Sequence, residues 1–461
     1  MIHLDPTLTP KNLQSAAQRV FHVAAPKIRS LQKRWKESDG TPVFTIAGKY
    51  TSRGWTEWTE GFVYGSAILQ YDATGDKNML KIGREGTLRR MASHVTHVGV
   101  HDHGFNNVST YGNLRRLLLE GRLPANAWEA HFYDLAIKAS GAVQASRWTQ
   151  LTPELGYIRS FNGPHSLFSD TIRSLRALGL AHILGQTLMG ENDRKISLLS
   201  RSIQHAETTA RYNVYYGKGR DTYDVPGRVV HESIFNVTDG AYRCPSTQQG
   251  YSAFTTWTRG HAWVLCGYPE QLEFLQTLPE SSFKEFGGKK KILQRFLEVA
   301  KTTADFYLRE TPTDGIPYWD TGAPGLVHLG DYLNRPADPY NYHEPVDSSA
   351  AAIAAQGLLR LGRYLQKHGD KTAGKTYFAA GLTVARTLFS EPYLSTDPKH
   401  EGLLLHTVYH RPNGWDYIPK GFQVPCGEAA MWGDYHLLEL ALYLLRLANG
   451  KPYLTFFGEN S

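Results

Sequence analysis

The sequence predicts an all-α protein, an (α/α)6 barrel of six inner and six outer helices with long loops at one end. Three observations predict it. Two kinds of helical segment alternate along the chain, six entry motifs recur at intervals, and strand patterns are few. A single barrel over residues 1–461 accounts for the whole chain.

The first outer helix is expected from about Lys11 to Trp35. Inner helices or their entry motifs begin near Trp58, His101, Asp170, Trp257, Asp347 and Trp432. SSAAAIAAQGLLRLGRYL from Ser348 and GDYHLLELALYLLRLA from Gly433 are apolar on nearly every side, and such helices lie inside a structure. The intervening helices are amphipathic. In KKKILQRFLEVAKTTADFYLRE, Ile292, Phe296, Val299, Thr303 and Phe306 share one face. The Thr222–Val230 region, with the loop to Gln249, reads as a hairpin or a long excursion. The polar and aromatic motifs fall at the N-terminal ends of the inner helices. Those ends carry unpaired N–H groups and positive partial charge, so a ring of them makes a funnel suited to an anionic sugar.

Composition narrows the function. Hydrophobic residues make up 41% and charged residues 20%, enough to bury a large core. Mean hydropathy is −0.39 and no run approaches about 18 apolar residues, so no membrane span or membrane partner is expected. The N-terminal stretch has no apolar core and no small-residue cleavage site, which predicts no signal peptide and a cytoplasmic or periplasmic protein. Cys244, Cys266 and Cys426 show no CxxC spacing; reduced thiols are expected, with no metal and no cofactor. The net charge of +7 suits an anionic partner. No nucleic-acid motif is present, and Lys289–Lys291 reads as a solvated helix start, so nucleic acid is not expected. An acidic oligosaccharide is. Many of the ten Trp, 26 Tyr and 19 Phe stand beside Gly and Asp, as in GWTEWTEGF, IPYWDTG and AMWGDY. Pyranose C–H faces pack on aromatic rings while carboxylates take their hydroxyls.

Two carboxylates stand out: Asp102 in VGVHDHGFNN and Asp170 in NGPHSLFSDTIRSL. Taken singly, Asp170 reads as an N-cap and Asp102 as a loop Asp bonding its neighbours. Each, however, has an aromatic, a His and a Gly close by. A third cluster, PSTQQGYSAFTTWTRGHAW, holds Gln249, Arg259, His261 and Trp263. Arg259 and Trp263 are four apart and share a helix face, where Arg can grip a carboxylate and Trp can stack on a ring. Arg259 bonded to a helix-end carbonyl is the alternative.

These blocks resemble glycoside hydrolase family 88, the unsaturated glucuronyl hydrolases. The matching pieces are WTEGF at Trp58, HDHGF at His101, LFSDTIRSL around Asp170, QGYSAFTTWTRGHAW from Gln249, GIPYWD at Gly315, DSSAAAIAAQGLL at Asp347 and WGDY at Trp432. They stand in the family's order; WTEGF and WGDY also suit the related family 105. The resemblance implies Asp170 as general acid/base and Asp102 as the second essential carboxylate. It implies Trp58, His101, His231, Gln249, Arg259 and Trp263 as residues around the sugar. His231 takes its place only if GKGRDTYDV from Gly217 is an insertion; otherwise Asp224 does. The implied reaction removes a terminal 4,5-unsaturated uronic acid. Protonation at C4 of the enol ether leaves an oxocarbenium-like centre at C5, water adds there, and the hemiketal opens to a keto acid and releases the next sugar. A neighbouring carboxylate is expected to raise the pKa of Asp170.

A hydrolase of saturated uronides, and an α/α-barrel lyase or epimerase, are the alternatives. His94, His97, His101 and His103 give the epimerase reading its support. The stretch between Ala323 and Val346 and the loop HRPNGWDYIPKGFQVPCGE are longer than the resemblance implies and are expected at the barrel mouth. Lys420 and Arg411 in that loop could bind sulfate or stay solvated.

Overall fold

The computed structural model describes residues 1–54, 57–452 and 455–458. Trp55 and Thr56 of GWTEWTEGF lie outside the described residues.

The chain forms an (α/α)6 barrel. Three inner helices are composite or short: Glu60–Thr74, the run His103–Asn107, Val108–Gly112 and Asn113–Leu119, and the pair Thr171–Ser174 and Arg176–Ile183. The other three, Thr258–Gln276, Ser348–His368 and Met431–Ala448, are long and continuous. Each packs on the next, and Met431–Ala448 closes the ring on Glu60–Thr74. The outer helices are Gln14–Arg34, Lys77–Arg90, Ala127–Ser146, Leu198–Tyr212, Lys289–Arg309 and Lys371–Leu388. All six expected starts of inner helices are therefore present, and the N-terminal segment supplies an outer helix. The predicted face of Lys289–Arg309 is buried at all five positions from Ile292 to Phe306. Met431–Ala448 is buried from Met431 through Arg446, as its all-round apolar pattern requires. Among the described residues, no helix is long and apolar enough to cross a membrane.

The helix starts differ between the two rings. Asp76, Asn126, Ser197 and Asp370 cap outer helices through their side chains. At inner starts, Asp102, Asp170, Trp257 and Ala430 make no such cap. Asp347 does, accepting from Ser349 N and Ala350 N.

Two inner helices meet closely at Gly104. A Cβ there would lie 2.2 Å from the carbonyl oxygen of Ser174, so no larger residue fits. The contact is bonded as well as tight. Gly104 N donates to Ser174 Oγ at 2.9 Å, and that hydroxyl donates to the His101 carbonyl at 2.7 Å. Gly104 thus sets HDHGF beside the helix that begins after Asp170.

The Thr222–Val230 region with the loop to Gln249, expected as a hairpin or a long excursion, is an excursion: a turn with one isolated bridge, Val214 to Val229, followed by a hairpin within the loop. Asp224 gathers the backbone N–H groups of Gly217, Lys218 and Arg220 at 2.8, 2.9 and 2.8 Å, which bends the segment on itself. The strands lie just beyond. Glu232–Phe235 pairs with Ser166–Phe168 on one side and Tyr242–Ser246 on the other.

Candidate active site

The starts of four inner helices and the loop from Tyr409 to Trp415 surround a pocket of about 750 Å³, open solvent at its mouth included. Trp58, His101, Asp102, Asp170, Gln249, Arg259 and Trp263 all line it. The other two inner starts support it from behind. Trp432 stacks on Trp58 with centroids 5.1 Å apart, and Asp347 holds Arg259.

The acidic centre is built around one imidazole. His101 Nε2 donates to Asp170 Oδ1 at 3.2 Å and stands 3.7 Å from Asp102 Oδ1. Phe161 stacks beside the ring and Phe168 meets it edge-on. The His101 carbonyl is fixed by Gln144 Nε2 at 2.8 Å as well as by Ser174. All three side chains are buried. Burial pushes the Asp102 carboxyl up to about 6, an effect that His101 only partly offsets. Burial acts on Asp170 in the same sense, but the charge and hydrogen bond of His101 outweigh it, and Asp170 lies below its ordinary value. For His101, burial disfavours the cation, yet Asp102 and Asp170 together hold its pKa above the ordinary value. The raised carboxyl of the resting site is therefore Asp102. The expected elevation of Asp170 by a like charge does not occur, because His101 stands between the two acids.

His231 lies beside this centre, its ring 4.5 Å from Phe168 and 4.6 Å from Trp257. Its Nδ1 accepts from the backbone N–H groups of Gln248 and Gln249 at 3.0 and 3.3 Å, which places the proton on Nε2. Burial lowers its pKa to about 4, so it is neutral at physiological pH. Neither His231 nor Asp224 is among the lining residues, but Asp224 is spent on the Gly217–Arg220 turn whereas the charges of His231 and Asp170 act on one another. Of the two alternatives, His231 is the one near the acids.

Arg259 departs from its expected use. Its NH1 donates to Asp347 Oδ2 at 2.9 Å and to the Val408 carbonyl; its NH2 donates to Gln249 Oε1 at 2.9 Å and the Tyr409 carbonyl at 2.8 Å. The guanidinium lies between Trp257 and Trp432, 4.7 and 4.9 Å from their centroids. Both terminal nitrogens are engaged within the protein, so a two-pronged grip on a ligand carboxylate is not on offer. Arg259 instead aims Gln249 and anchors the 408–409 backbone. Trp263 does share its face, packing on Phe105 at 4.8 Å at the pocket floor. His261 turns away, against Phe306 and Tyr307.

The histidine cluster separates. His94 bonds Glu60 Oε2 at 2.9 Å, and His103 bonds Ser140 Oγ and the His97 carbonyl, both at 2.9 Å. Of the four, His101 alone lines the pocket. The C-terminal loop is at the mouth as expected: His410, Asn413 and Trp415 line the pocket, and Asp416 folds the loop by accepting from Tyr409 N and His410 N. The stretch between Ala323 and Val346 gives no lining residue. It buttresses that loop, with Tyr342 stacked on Phe422 at 5.8 Å. Phe161, Phe168 and Tyr409 were not singled out in the sequence; the Gly and His flanking them in FNGPH and VYHRPNG are the only local signal.

No family model matches the chain. An unsaturated glucuronyl hydrolase of Bacillus sp. (strain GL1) is 26% identical over 456 residues, 97% of this chain and 96% of that protein. One from Formosa agariphila is 25% identical over 385 residues, 83% of this chain and 78% of that protein. An unsaturated chondroitin disaccharide hydrolase of Streptococcus pyogenes serotype M1 is 26% identical over 465 residues, 98% of each. Among solved structures, the unsaturated glucuronyl hydrolase of Bacillus sp. GL1 superposes with a TM-score of 0.70 at 22% identity, over 96% of this chain and 100% of that one. An aspartate-to-asparagine mutant of the Streptococcus agalactiae enzyme, complexed with dGlcA-GalNAc6S, gives 0.63 at 20% identity, over 99% and 98%. Across nearly its whole length, the chain is thus similar to unsaturated glucuronyl hydrolases in sequence and in fold, as the ordered blocks from Trp58 to Tyr435 led us to expect.

Proposed function

We propose that this protein is a glycoside hydrolase that removes a terminal 4,5-unsaturated uronic acid from lyase-generated acidic oligosaccharides. One observation carries the reading. Two buried carboxylates that cap no helix meet one imidazole nitrogen in an aromatic-walled pocket. Hydration of an enol ether needs a proton for C4 and a base for the water that attacks C5. In the resting site Asp102 is the more readily protonated of the two acids, and Asp170 the more readily ionised. An entering uronate adds a negative charge, which raises both carboxyls, so that Asp170 can take up the proton that it delivers. Asp170 then protonates C4 and, as carboxylate, takes a proton from the attacking water. Asp102 stabilises the positive charge that grows at C5. Trp58 and Trp263 supply apolar faces, and Gln249, aimed by Arg259, and neutral His231 supply hydrogen bonds to the sugar. Of the four histidines invoked for an epimerase, His94 and His103 are held in structural bonds and only His101 lines the pocket, so no histidine pair faces it, which weighs against that reading.

The test follows the ultraviolet absorbance of the C4=C5 uronate in a panel of lyase products, with and without sulfate. Loss of absorbance with release of a keto acid is expected, and the Asp170→Asn enzyme should lose roughly two to four orders of magnitude in kcat while keeping its fold. Release of an intact saturated uronate would transfer the assignment to a hydrolase of saturated uronides.

A further inference from the structure

The loop between Gln249 and Trp257 leaves the pocket wall and returns to it. Tyr251 is two residues from Gln249, and Phe254 is three from Trp257, so neither is more than about 7–11 Å of chain from a pocket-lining residue. Both are exposed, at 51% and 43%. Phe254 is paired with Tyr223, itself 49% exposed, with centroids 4.6 Å apart and planes at 29°. Tyr223 belongs to the Gly217–Val225 turn that Asp224 organises.

These rings are held in place. Buried Asp320 accepts from Tyr251 N at 2.9 Å. Arg228 ties the two halves of the pair together, donating from Nε to the Tyr223 carbonyl at 2.8 Å and from NH1 to the Ala253 carbonyl at 3.2 Å. Its guanidinium is seated 3.8 Å from the Tyr215 ring centroid. Large apolar rings fixed in water beside a sugar-shaped pocket point to a ligand that covers them.

We propose that Tyr223, Tyr251 and Phe254 form a stacking platform for a pyranose on the reducing side of the substrate, beyond the sugar next to the scissile linkage. This rests on the pocket being the seat of the terminal uronic residue. A pyranose lays its apolar C–H face on such a ring; the stacked pair offers an outer ring face of that size, and exposed Tyr251 offers another. The protein therefore favours acidic oligosaccharides longer than a disaccharide.

The test compares kcat/KM on an unsaturated disaccharide and on the tetrasaccharide of the same parent, for the unmodified enzyme, Tyr223→Ala, Phe254→Ala and Phe254→Trp. The alanine variants should lose about two- to tenfold on the tetrasaccharide and be unchanged on the disaccharide, and Phe254→Trp should keep the preference for length. Equal losses on both substrates, no loss on either, or a changed oligomeric state without a length effect would each overturn the platform. If no unsaturated substrate is turned over, the reading of the reaction fails instead. Calorimetric titration with a saturated tetrasaccharide then judges the platform separately, and equal affinity for enzyme and alanine variants would reject it.

Discussion

At His101 a single imidazole nitrogen faces both carboxylates, and the pH dependence of the site follows from that contact. Of the two carboxyls, Asp102, raised to about 6, is the one that gains a proton first as pH falls. In the proposed mechanism the acid form is the competent one, and it is lost as pH rises through that value. Accordingly kcat/KM, which reports the free enzyme, should fall as pH rises through about 6. The Asp102→Asn protein should lack that limb, and a profile flat from acid to neutral pH would reject the assignment. Asp102 and Asp170 were legible in the sequence because each stood among His, Gly and aromatic residues in a short block. The binding of Arg259 was not. Its partners Asp347, Val408 and Tyr409 lie 88, 149 and 150 residues further on, and no local pattern encodes such pairings.

Elements bring those side chains together, and the decisive join is that of HDHGF with the helix after Asp170. Its tightness resides in Gly104, where a Cβ would meet Ser174 backbone at 2.2 Å rather than a flexible side chain. Gly104→Ala must therefore part the two helices. A destabilisation of about 1–3 kcal/mol is expected from overpacking, and it falls where His101 is fixed by Ser174 and Gln144. Activity should drop more steeply than the melting temperature predicts. An enzyme of normal stability and turnover would show that the join has slack. The helices were legible because a period of 3.6 repeats over many residues in Lys289–Arg309 and its neighbours. The sheet was not. Ser166–Phe168 is three residues long, too short for alternation to register, and its partner Glu232–Phe235 lies beyond a turn that Asp224 organises.

The barrel as a whole encloses charge along its axis. Arg173 joins Glu270 and Glu439 at 3.1 and 2.8 Å, and Arg360 reaches Glu273 at 2.7 Å, all buried. Removing one member leaves its partners unpaired at a cost of about 3–5 kcal/mol, which makes the network a condition of folding rather than of catalysis. The balance of buried acids and bases also fixes the response to pH. His103, His205, His231, His261, His406, His410 and His436 are pushed by burial from 6.5 to about 3 or 4. The unfolded chain binds protons at these seven sites below pH 6.5 and the folded chain does not, so their contribution is complete above 6.5 and is lost as pH falls. Six carboxyls act in the opposite sense, burial raising Glu207 and Asp416 as well as the four that follow, and His101 joins them. Asp102, Asp314, Asp320 and Asp434 are raised by burial from 3.8 to about 6, so the folded state binds the extra protons between those values. The lowered histidines, to which burial adds His97, His182 and His368, outnumber the raised groups. Glu439 adds to the majority. Burial opposes its charge, but Arg173 and Arg176 hold it far below 4.5, and its contribution is lost as pH falls below that value. Urea unfolding followed by circular dichroism should therefore show stability level above about pH 6.5 and declining steadily toward pH 4. Stability that rose on acidification through this range would mean that the histidines are hydrated or paired in the folded barrel.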